Sequence, residues 1–165
     1  MLVKDVSSTE NTINLLQNLE DPATWPALTD KIKKFLVEHE PIQKTDIIYT
    51  KTNGRKFSNA YYYRKLSNTE NIRRNWLIYS VKADGVYCFC CKLFALEEEN
   101  NSLLVAENGY NDWKNLTNLL HSHETSAKHV AKYKRWIYFK KSLEEKNTID
   151  SQTEILYEIE FFFKY

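Results

Sequence analysis

The pattern of apolar and polar positions changes character several times along the 165 residues. Ile13, Leu15, Leu16 and Leu19 recur only weakly in a polar stretch, so little fixed structure is expected over residues 1–20. Two prolines in Asp21-Pro22-Ala23-Thr24-Trp25-Pro26 mark a turn. From Thr29 the pattern becomes helical. Thr29 or Asp30 can cap it, Ile32, Phe35 and Leu36 share a face, and Pro41 stops it, which predicts a short docking helix over 29–39. Residues 42–60 read as a polar loop with Asn53-Gly54 as a turn. Trp76-Leu77-Ile78-Tyr79-Ser80-Val81 and Val86-Tyr87-Cys88-Phe89-Cys90 are runs of strand formers on either side of an Asp84-Gly85 turn signal, and they predict a hairpin. Leu96 to Asn101 reads as an acidic, solvated excursion. Trp113, Leu116, Leu120 and His123 then recur at spacings of three and four, the face of a helix capped by Asn111 or Asp112. Thr125 and Ser126 interrupt it and cap a second helix that carries His129, Tyr133, Trp136 and Phe139.

Composition narrows the class. With 42% hydrophobic and 14% aromatic residues the chain can build a core, and its length suits one domain or a small domain with extensions. Gly 3 and Pro 3 argue against a turn-rich β-sandwich. The expected fold is therefore α+β: a small module, a β-hairpin knuckle plus two helices, with an N-terminal helical extension. Residues 1–50 are expected to form that extension, 55–140 the module, and 141–165 an acidic tail, helical or disordered and cut short. The final Glu160-Phe161-Phe162-Phe163-Lys164-Tyr165 looks like a broken-off end. The N-terminus lacks the apolar core of a signal peptide, and no run approaches the length of a membrane span.

A net charge of +1 conceals strong segregation. Residues 51–96 carry 9 basic and 2 acidic side chains and 110–141 carry 7 and 2, whereas 97–109 carry 0 and 4. Clustered cations matter more to a polyanion than the total. Tyr61-Tyr62-Tyr63-Arg64-Lys65, with Arg55, Lys56, Arg73 and Arg74 nearby, interleaves aromatics and cations as a phosphate- and base-contacting surface does. Lys128, Lys132, Lys134 and Arg135 add a basic helix. DNA is the partner these ten cations suggest. A protein partner is the alternative if Trp25, Trp76 and Tyr61–Tyr63 form an exposed patch.

The candidate chemistry lies between Cys88 and His129. All three cysteines and three of the four histidines fall within that stretch. Two residues separate Cys88 from Cys91 and five separate His123 from His129, a spacing that converges two thiolates and two imidazoles on one tetrahedral Zn2+. Cys90 is the substitute ligand to weigh, or a small buried apolar residue. Three cysteines within four residues suit a reducing compartment, cytosol or nucleus. Four protein ligands close a zinc site to substrate, so no enzyme is expected.

These motifs in order resemble the N-terminal region of hAT-type transposases and of their domesticated relatives, the zinc finger MYM-type protein 1-like group. The residues that carry the resemblance are Asp21-Pro22 with Trp25-Pro26, Asp30-Lys31-Ile32 with Phe35-Leu36-Val37, and Tyr61 to Leu66. They continue through Trp76 to Ser80, Cys88 to Phe94, Gly109 to Lys114, and His123 to His129. The likeness covers roughly residues 20–140. It implies a TTF-type zinc finger with zinc on Cys88, Cys91, His123 and His129. It also implies DNA binding in the nucleus, without the ribonuclease-H-like catalytic domain of full-length relatives.

Overall fold

The computed structural model describes residues 13–146 apart from Leu15. The expectations for residues 1–12 and for the tail from 147 onward, terminal aromatics included, lie outside the described residues.

Residues 13–14 and 16–20 are helical, contrary to the expected lack of structure there. Leu19 is buried, and its carbonyl accepts a bond from the Trp25 indole at 2.9 Å. Helix α1 (Asp30–His39) begins where Thr29 Oγ1 accepts from the Ile32 amide. Beyond Pro41, the Gln43 side chain donates to the carbonyls of Arg74 (2.7 Å) and Leu77 (2.9 Å), which ties this connection to the centre of the fold.

Three antiparallel two-stranded hairpins follow. Strands β1 (Lys51–Thr52) and β2 (Arg55–Lys56) flank Asn53 and Gly54, whose positive φ values of 52° and 75° are those of a type I′ turn. Strands β3 (Tyr63–Lys65) and β4 (Asn71–Arg73) form a short ribbon that pairs Tyr63 with Arg73 and Lys65 with Asn71. Strands β5 (Leu77–Ser80) and β6 (Gly85–Cys88) form the expected hairpin, with Leu77 opposite Cys88. All eight of its residues are buried, which explains their unbroken apolar character. Asp84 lies in the turn, and its carboxylate accepts from the hydroxyls of Tyr79 and Thr52, joining this hairpin to the first.

A one-turn helix, α2 (Phe89–Leu93), follows β6 directly. The second run of strand formers was expected to stay extended through Cys90, but the chain turns helical at Phe89. Residues 94–115 then fold back along β6. Cys88 N donates to Leu104 O at 2.9 Å, and Val86 and Tyr110 exchange two backbone bonds of 2.9 and 3.0 Å. Glu99 accepts from Lys132 and lies 3.6 Å from Lys128, so part of the acidic excursion is docked on the last helix. Helix α3 (Leu116–Glu124) starts several residues later than expected. The Asp112 carboxylate accepts from the Asn115 side chain at 2.6 Å instead of capping a backbone amide. Helix α4 (Ala127–Glu145) packs on α2 and α1.

The core runs without a break from Leu19, Leu36 and Val37, through the β5–β6 hairpin and α2, to Leu116, Leu120 and Trp136. The N-terminal segment expected as an extension is thus built into the same core as the cysteines. A second concentration of rings, Phe57 at 5.1 Å from both Tyr62 and Tyr79, anchors the first two hairpins.

Gly85 has no room for a side chain, since a Cβ there would lie 2.9 Å from the carbonyl oxygen of Asn108. Gly85→Ala should therefore cost about 1–3 kcal/mol through overpacking. Urea unfolding of the metal-loaded chain measures that cost, and an unchanged midpoint would mean that the 104–110 segment does not dock on β6.

Candidate metal centre

The end of β6, the single turn of α2 and the first turn of α4 bring their side chains to one point. Cys88 closes the strand, Cys90 and Cys91 lie in α2, and His129 lies one turn into α4. All four are buried, and among the described residues their ligand atoms lie within 4.8 Å of one another. His129 Nδ1 is 3.4 Å from Cys88 Sγ, 3.5 Å from Cys91 Sγ and 3.9 Å from Cys90 Sγ, and the sulfurs of Cys88 and Cys90 are 3.5 Å apart. A tetrahedral zinc with sulfur at about 2.3 Å and nitrogen at about 2.0–2.1 Å places adjacent sulfur and nitrogen atoms about 3.5 Å apart. The donors fit that ion in spacing and in softness. Three thiols and an imidazole packed this closely without a cation would have little reason to converge.

The expected ligands divide. Cys88, Cys91 and His129 are gathered as predicted, and Cys90 joins them, whereas His123 lies outside this four-donor cluster. The physical reason is the early start of α2. On an extended strand Cys91 would alternate away from Cys88 and Cys90, but the helical turn brings it to the same buried side as both. His123 remains adjacent, with Nε2 3.5 Å from Cys91 Sγ. His121 points elsewhere, largely exposed and 3.9 Å from Glu124. His39 ends α1, stacked on Phe35.

Ser126 explains how two histidines with five residues between them come to lie side by side. Its hydroxyl donates to the His123 carbonyl at 2.8 Å and accepts from the His129 amide at 3.2 Å, so one side chain ends α3 and caps α4. The Trp76 ring, 5.4 Å from His123 and 4.7 Å from His129, limits where both imidazoles can lie.

The cysteines differ electrostatically. Burial pushes the thiols of Cys88 and Cys90 well above the ordinary range. Cys91 is held well below it, because the neighbouring thiols of Cys88 and Cys90 donate to its sulfur. One thiolate is thus already favoured, and a cation must displace the remaining thiol protons to bind.

Of the expected DNA-contacting cations, Arg55 and Lys56 on β2, Lys65 on β3, Arg73 on β4, and Lys128 and Lys134 on α4 are exposed. Arg135 lies over the Phe94 ring. Arg64 is half-buried, 3.6 Å from Glu124. Two residues depart from the expectation. Arg74 is 9% exposed and is committed to Glu124 and two backbone carbonyls, and Lys132 is mostly buried against Glu99, so neither offers its charge to a phosphate. The aromatics proposed as a protein-binding patch are also largely internal: Trp76 and Tyr62 are buried, and Trp25 and Tyr61 are half-buried.

The chain is similar to zinc finger MYM-type protein 5 from three mammals. It is 41% identical to the Homo sapiens protein over 142 residues, 85% of this chain and 21% of the relative. It is 39% identical to the Macaca fascicularis protein over 142 residues, with the same coverage of each. It is 38% identical to the Mus musculus protein over 144 residues, 86% of this chain and 22% of the relative. The chain thus spans about a fifth of the length of these relatives. The likeness supports a MYM-type zinc finger family, and with the buried Cys3His cluster it supports Zn2+ as the ion. No family model matches the chain, and no solved structure does.

Structural zinc contributes about 10–16 kcal/mol of apparent free energy at neutral pH, as much as the whole of an ordinary domain's stability. The purified chain should carry one zinc, and a chelator should unfold residues 76–137, as read by loss of amide protection. Because Cys88 and Cys90 must lose protons to bind, affinity should fall as pH is lowered and rise as it is raised. Calorimetric titration in buffers of different ionisation enthalpy counts the protons released. A pH-independent affinity would contradict the thiol ligation.

Proposed function

We propose that this chain is the zinc-organised DNA-binding module of a MYM-type zinc finger protein related to hAT transposases, with a TTF-type finger and a nuclear site of action. The folding unit runs from Leu19 to Glu145. The metal in this reading is structural. A cation with four protein ligands keeps no open position for a substrate water, so its role is to hold a binding surface in shape.

One observation carries the DNA reading: the outward face of the β3–β4 ribbon. The cross-strand pairs Tyr63–Arg73 and Lys65–Asn71 put an exposed aromatic ring, two cations and an amide on one face. Tyr63 remains 48% exposed although most large aromatics among the described residues are internal. An aromatic side chain kept in solvent between cations suits sugar and base contacts, while Lys65 and Arg73 reach phosphates. Lys51, Arg55 and Lys56 on the first hairpin and Lys128 and Lys134 on α4 enlarge the basic surface. The alternative, a protein-interaction module, is weakened by the burial of Trp76 and Tyr62.

The ligand set belongs to the same proposal. Cys88, Cys90, Cys91 and His129 hold the ion. A second reading keeps His123 in place of Cys90, and the specific observation in its favour is the 3.5 Å approach of His123 Nε2 to Cys91 Sγ, the length of a tetrahedral edge.

Cobalt separates the two. In the Co2+-loaded chain the thiolate charge-transfer absorbance should report three sulfurs and drop by one third in Cys90→Ser, with His123→Gln leaving it unchanged. Equal absorbance in Cys90→Ser would assign the fourth position to His123. Fluorescence anisotropy with labelled duplex DNA tests the partner. Binding should weaken steeply with salt, and the double variant Lys65→Ala/Arg73→Ala should lower the log–log salt slope by about 2, roughly one per lost phosphate contact. Absent or salt-insensitive binding would refute the DNA reading.

A further inference from the structure

Glu124 follows His123 directly and closes α3, at the helix end where the backbone dipole disfavours a carboxylate. Its side chain is nonetheless only 6% exposed. Two bonds from a single guanidinium offset that placement: Arg74 Nε donates to Oε2 at 2.8 Å and Nη2 to Oε1 at 3.0 Å, the bidentate fork that binds carboxylates most strongly. The third nitrogen, Nη1, donates to the carbonyls of Tyr61 at 3.0 Å and Tyr63 at 2.7 Å. The Arg74 amide adds a bond to the Tyr62 carbonyl at 2.6 Å. Every donor group of this arginine that the structure pairs is therefore directed either at the start of β3 or at the last residue of α3.

We infer that Arg74 and Glu124 are a positioning pair that links the metal centre to the β3–β4 ribbon. At one end they fix the backbone that carries His123, whose imidazole lies beside the Cys91 sulfur as an outer-shell partner, and at the other they set the start of the ribbon. Neither residue is a metal ligand, and neither offers its charge to a partner. The reach is short on both sides. Glu124 is bonded through the backbone to His123, and Arg74 immediately follows β4. A lysine could satisfy either the carboxylate or the carbonyls, since its single ammonium lacks the planar fork. Metal binding and ribbon order are then thermodynamically linked, each strengthening the other by the same factor.

This inference rests on the zinc reading above and not on the DNA reading. Its test uses the full chain and the variants Glu124→Gln and Arg74→Lys, with Val37→Ala on α1 as a core variant outside the pair and the ribbon. Zinc affinity is measured by competition with a chromogenic chelator, and hydrogen exchange follows the amides of residues 63–65 and 71–73 with and without zinc. In the parent chain, zinc should slow exchange in the ribbon. Glu124→Gln and Arg74→Lys should each weaken zinc binding about 10-fold, the low end of what losing an outer-shell partner costs, because the partner displaced is His123 beside Cys91, and should make ribbon exchange insensitive to zinc. Val37→Ala should lower the melting temperature while leaving the ribbon responsive to zinc. Zinc bound by both variants within about twofold of the parent, or ribbon protection in them that still follows zinc, overturns the inference alone. A parent chain that takes up no zinc overturns the metal reading and this inference with it.

Discussion

The fold depends on the convergence of three sulfurs and an imidazole from three elements that share no hydrogen-bond ladder. β6 ends in Cys88, α2 is a single turn, and α4 begins only after the chain has left the hairpin for a long excursion. Separately, none of these pieces is self-sufficient, since a two-stranded hairpin and a one-turn helix are each marginal in water. A cation at their meeting point turns three weak local preferences into one cooperative unit. The sulfurs themselves are buried, and the Trp76 ring packs on His129 beside them at 4.7 Å.

Much of this was legible in the residues because local chemistry decided it. Thr29 and Ser126 cap helices as their side chains dictate, Asn53-Gly54 forms a turn that needs positive φ twice, and the β5–β6 run forms its hairpin. Spacing pointed to Cys88, Cys91 and His129, which the fold brings together, and equally to His123, which lies outside that cluster. What could not be read was set by tertiary contact. The switch from strand to helix at Phe89 carries no turn residue, and it puts Cys91 on the same buried side as Cys88 and Cys90. Asp112 looked like a cap but is engaged by Asn115 instead. Leu19 lies in too weak a pattern to announce itself, and only its place under Trp25 shows why it is apolar.

Charge behaved in the same way. Counting cations along the chain marks the basic regions correctly but cannot tell a solvated side chain from one already paired. Arg73 and Arg74 are neighbours in sequence and opposites in structure. Arg73 sits on the exposed ribbon with its Nε donating to Gln43, while Arg74 turns inward to Glu124. The signal that could have singled out Arg74 was a carboxylate beside a histidine at a helix end, where an acidic residue is unfavourable unless something compensates it.

The two backbone bonds between Val86 and Tyr110 have a consequence that reaches past the metal. A buried, apolar, two-stranded hairpin leaves unpaired amides and carbonyls along its border, and such a border can recruit strands from other molecules. By laying residues 104–110 along β6, the polypeptide seals that border with its own backbone. This apolar hairpin is thereby shielded from self-association along β6, by the same excursion that separates the cysteines from the histidines.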